Sequence, residues 1–164
     1  MAINNFAELQ TQVTAKLEQA IDLTMKHFEQ ELYNCIQSEV YSYDQEWYIR
    51  TNELLDNWEI ITTKNKNSVE SELSFSKQIS HSGSPLFQHG FEFINGDNSF
   101  LSNQSLLEII ESGKIGAIAN FPQIGSRPFW SNFWKIVDRD LNKVFIQNCQ
   151  SVGLPIQQGQ FSYS

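Results

Sequence analysis

From Leu9 to Ile36 an apolar side chain returns every three or four positions, at Leu9, Val13, Leu17, Ile21, Met25, Phe28, Leu32 and Ile36, and no proline or glycine appears until well beyond Val40. This period lays the apolar residues along one stripe of a helix. Asn5, with Glu8 three residues later, fits a capping arrangement at the start. The spacing therefore predicts a long amphipathic helix over 5–40. At roughly 1.5 Å per residue such a helix is a rod on the order of 50 Å, longer than a small domain needs for its own core. Part of the stripe is accordingly expected to serve a neighbour.

The rest of the chain changes character several times. Tyr41 to Asn57 is aromatic and polar first and closes with a short helical turn around Leu54-Leu55. Trp58-Glu-Ile-Ile-Thr-Thr63 is then rich in β-branched residues, and Val69, Ser71, Leu73 and Phe75 alternate with Glu70, Glu72, Ser74 and Ser76. Both segments read as strands, and the Lys64-Asn65-Lys66-Asn67 between them tolerates a tight turn, so a hairpin is predicted over 58–76 with one face toward water. Gly83, Pro85, Gly90 and Gly96 mark 81–103 as a long loop. A short helix is expected from about Gln104 to Ser112, ended by Gly113, and Ile115 to Ala119 suits a further strand. Ser126-Arg127-Pro128 opens a second strong helix over 127–150, with Ser as a cap and proline in the first turn. Trp130, Phe133, Trp134, Val137, Leu141, Val144, Phe145 and Asn148 keep helical spacing through it, and Gly153 and Pro155 stop it. The polar segment 157–164 is expected to be a flexible tail. The predicted fold class is α+β: a long N-terminal helix and a C-terminal helix packed on a small, mostly antiparallel sheet, with a long central loop.

Length and charge narrow the possible roles. At 164 residues the chain suits a single domain over 1–156 that buries a core without disulfides or a metal. Cys35 and Cys149 sit in helical segments, where a reduced buried thiol acts as a small hydrophobe. With 11 Lys plus Arg against 19 Asp plus Glu the formal charge is −8. No stretch gathers basic side chains, which disfavours dedicated nucleic-acid binding. An acidic surface suits a channel that DNA slides past, because it repels phosphates. No apolar run approaches the roughly 18 residues of a membrane span, and the opening residues lack the regions of a signal peptide, so the protein is expected to be made in a cytoplasm without contact with a membrane.

Three landmarks follow one another in order: Tyr48-Ile-Arg50-Thr51-x-x-Leu54-Leu55, then Leu107-Glu-Ile-Ile-Glu111-Ser-Gly113, then Arg127-Pro128-Phe129-Trp130. Together, over roughly Tyr41 to Ile156, they resemble the tail-component family of long-tailed phages of the HK-ninety-seven type. Members of that family pair an Arg-Thr-x-x-Leu segment before a hairpin with a downstream Arg-Pro-Phe. This chain departs from the pattern in having Asn52 where the family often has glycine, and in an expanded 81–103 loop. The resemblance implies a small α/β structural virion protein of the neck or upper tail, a tail-completion subunit without catalytic role or cofactor. It would pack side by side into a ring of six or twelve copies around the DNA path, against adjacent connector and tail proteins. Its place would be the head–tail junction, with the host cytoplasm as the site of assembly. A tail-terminator or head-closure adaptor shares that size and fold class. A helical partner-binding adaptor unrelated to phages is the alternative of another class.

The candidate assembly or structural anchors are Arg50, Thr51, Leu55, Arg127, Pro128 and Phe129. A guanidinium at Arg50 or Arg127 can grip a carboxylate of a neighbouring copy bidentately, or serve an intramolecular bond, for Arg50 to Glu53 or Glu46. Phe129, Trp130, Phe133 and Trp134 fit a core, and an interface cluster is the alternative. His81, His89 and Asp97 lack metal-ligand spacing, and His27 suits a solvated face. Glu108 and Glu111 share a helical face, as in an ordinary solvated helix. Ser82-Gly83-Ser84 lacks the strand–turn–helix context of a nucleophile elbow. No catalytic function, metal or cofactor is expected.

Overall fold

The computed structural model describes residues 5–42, 53–56, 58–65, 68–75, 107, 110–112 and 126–156. Among them run helix α1 (Phe6–Glu39), a single helical turn α2 (Glu53–Asp56), strands β1 (Trp58–Lys64) and β2 (Val69–Phe75), and helix α3 (Phe129–Ser151). The fold is α+β: two long helices pack on a small two-stranded antiparallel sheet. The 81–103 loop, the 115–119 strand and the 157–164 tail all lie outside the described residues. So do His81, His89 and Asp97.

The start of α1 and the end of α3 each have a local cause. Asn5 caps α1 as predicted, its side-chain oxygen accepting the Glu8 N–H at 2.8 Å. At the end of α3, Gly153 takes φ +78°. Its N–H reaches the Gln150 carbonyl at 3.0 Å while Leu154 N–H reaches Cys149 at 2.8 Å, the paired closure of a Schellman terminus. The predicted cap of α3 is a correction. Ser126 turns its hydroxyl to the Glu111 carbonyl at 2.6 Å, and Pro128, whose carbonyl accepts the Asn132 N–H at 2.9 Å, stands just before the helix.

The chain divides into two compact units, and both long helices and both strands contribute to each. The first comprises Met1–Glu31, Ile60–Ser74 and Lys135–Ser164. There α1 and α3 run antiparallel. Lys16 Nζ donates to the Gly153 carbonyl at 3.1 Å, and Asn148 Nδ2 donates to Thr24 Oγ1 at 3.0 Å. Thr24 is buried and returns its own proton to the Ala20 carbonyl at 2.7 Å, a back-bond that satisfies a polar group inside a helix pair. The hairpin is tied to α1 by an ion pair between Lys64 and Glu18, and Asn65 N–H closes its turn on the Ser68 carbonyl at 2.9 Å. Glu70 and Glu72 face water while Val69, Ser71 and Leu73 face in, as the alternation requires.

The second unit comprises Leu32–Glu59 and Phe75–Trp134. Its described core is Leu32, Cys35, Ile36, Val40, Leu54, Phe129 and Phe133. Along α1 and into Val40 just beyond it, a buried row of Ala20, Thr24, Phe28, Leu32, Ile36 and Val40 keeps a strict four-residue step. In the first half of the helix this row lies beside the predicted one. Leu17, Ile21 and Met25 are only half-buried, and Leu9 and Val13 are exposed. Small Ala20 and Thr24 occupy the close approach instead, because i, i+4 ridges are the ones that interlock between crossing helices. Cys35 and Cys149 are buried thiols outside any disulfide, and burial pushes the Cys149 thiol upward.

Candidate functional site

Among the described residues a dense set of specific contacts gathers at the N-terminus of α3, in the second unit. A helix start leaves backbone N–H groups without intrahelical partners and carries the positive end of the helix dipole. Here a carboxylate from another segment fills that place. Glu111 accepts the N–H of Trp130 and that of Ser131, both at 3.0 Å, and also the Ser131 hydroxyl. The backbone beside Glu111 is held in turn, since Arg127 N–H reaches the Ile110 carbonyl at 3.1 Å and Ser126 bonds the Glu111 carbonyl. The 110–112 segment and the start of α3 are thereby fixed to one another by both main chain and side chain.

The other end of this arrangement is the C-terminus of α1. Arg127 Nη1 donates to the Val40 carbonyl at 3.4 Å, a long bond that places a cation where last-turn carbonyls concentrate negative charge. Asn132 Nδ2 donates to Glu39 at 3.0 Å. On the apolar side Phe129 is fully buried. Trp130 stacks on Trp58 with ring centres 5.5 Å apart, and Trp58 meets Phe75 edge-on at 4.8 Å. The Trp58 indole N–H is satisfied by the Leu54 carbonyl at 2.8 Å.

Of the residues singled out from sequence, Arg127, Pro128 and Phe129 stand together here. The contacts drawn for Arg127 lie within the chain. Leu55 is half-buried in α2 while its neighbour Leu54 is the buried one. Arg50 and Thr51 lie outside the described residues. The aromatic set divides: Phe129 and Phe133 are core, Trp130 is half-buried, and Trp134 is 45% exposed, because it turns from the packed face of α3. His27 is exposed.

Glu111 is the participant that sequence reasoning passed over. Its spacing from Glu108 described its own helix, whereas its partners lie nineteen and twenty residues downstream. The available signal was a strong helix whose start, Arg127-Pro128-Phe129-Trp130, carries no acidic side chain for its first turn. Chemically the arrangement can hold segments in register. Among the described residues no three His, Cys, Asp or Glu side chains group as a metal site would need, and no helix is long and apolar enough to cross a membrane. Comparison with protein-family models, with curated proteins and with solved structures gave no match to this chain.

Proposed function

We propose that the chain is a structural subunit of a tailed-phage particle, a neck or tail-completion protein that assembles into a ring around the DNA path and has no catalytic role. The observation that carries this is the meeting of the three landmark segments in one unit. Leu54 of the first accepts the Trp58 indole, which stacks on Trp130 of the third, and Glu111 of the second closes the helix that the third opens. Segments that are far apart in sequence and resemble one family thus cooperate in a single piece of architecture. In this proposal the hairpin and its edges make the lateral contact between copies. The loop over 81–103 reaches a neighbour or the adjacent ring. Acidic residues, in keeping with the −8 balance, line the lumen and repel the passing phosphates. The partners are further copies of the chain and the adjoining connector and tail proteins. The protein resides in the virion after assembly in the host cytoplasm.

A tail-terminator or head-closure position differs only in the layer occupied, so locating the chain in intact particles by electron microscopy separates these. The non-phage helical adaptor is favoured by one feature, the exposed apolar start of α1. Light scattering on the purified chain, with negative-stain imaging of the eluted species, tests the ring directly. Discrete rings are the expected result. A chain that stays monomeric alone and with phage head and tail fractions, yet captures a helical partner, would replace the ring with the adaptor.

A further inference from the structure

We draw no further inference here: the strongest candidate, the exposed apolar face of Phe6, Leu9 and Val13 at the start of α1, carries none, because nothing in the structure shows what covers it.

Discussion

At the start of α3, Phe129 and Phe133 are buried, Trp130 stacks on Trp58, and a carboxylate from a distant segment closes the helix end. At the start of α1, Phe6, Leu9 and Val13 face solvent and the drawn cap is the local Asn5. Both helices are amphipathic, and both have the length and spacing to bury a stripe. The difference lies in what the rest of the chain brings to each. The α3 start receives α2, Trp58 and the Glu111 segment, whereas at the α1 start the described residues leave Phe6, Leu9 and Val13 exposed. An apolar stripe that its own chain does not cover is a cost in a solitary protein and an asset in one that works in copies.

The contrast can be broken most severely by emptying the closed end. Phe129→Ala removes a fully buried ring and should cost about 3–5 kcal/mol in urea denaturation. A cost below about 1 kcal/mol would mean that the aromatic cluster is not a core. The helix pairing of the other unit offers a sharper test. Thr24→Val leaves Asn148 without its acceptor and should cost about 2 kcal/mol, much of which Thr24→Val/Asn148→Leu should restore, because the penalty belongs to the orphaned amide. Equal losses in single and double variants would show that the hydroxyl matters for shape alone.

Smaller effects follow at the helix ends and on the surface. Glu111→Ala should lower stability by about 1 kcal/mol, the usual worth of a capping side chain, and should do so more at low than at high salt because the dipole contribution is screened. The smallest effect concerns Asp140, whose carboxyl is held below its ordinary value by the Arg139 guanidinium hydrogen-bonded to it. A depressed carboxylate contributes stability that is present above its unfolded value and disappears as pH falls through the folded one. Asp140→Asn should therefore flatten the acid side of the stability–pH curve slightly and leave neutral pH nearly unchanged, because the pair is on the surface.

How far the sequence spoke for itself differs between the two helix starts as well. The bounds of α1, the hairpin and α3 followed from period, alternation and the punctuation at Asn5, Lys64–Asn67 and Gly153, all of which are local. The Asn5 cap was legible because donor and acceptor lie three residues apart. The Glu111 cap was not, because its partners are remote and Ser126 offered a plausible local substitute. Thr24 escaped notice for a related reason, since a hydroxyl reads as surface until its two hydrogen bonds are known. Periodicity identified Leu9 and Val13 as apolar-stripe residues, and helix length suggested that part of the stripe serves a neighbour. It could not say which part stays exposed among the described residues, because that depends on where α3 ends against α1, beside Lys16 and Gly153.

Hydrogen exchange at low and high protein concentration tests the contrast between the two helix starts most directly. The first turns of α3, from Asn132 through Val137, should be strongly protected at every concentration. The amides of Leu9 to Val13 should exchange at least tenfold faster than these in dilute solution. Protection of Leu9 to Val13 as high as that of Asn132 to Val137 would contradict the contrast between a closed and an exposed helix start.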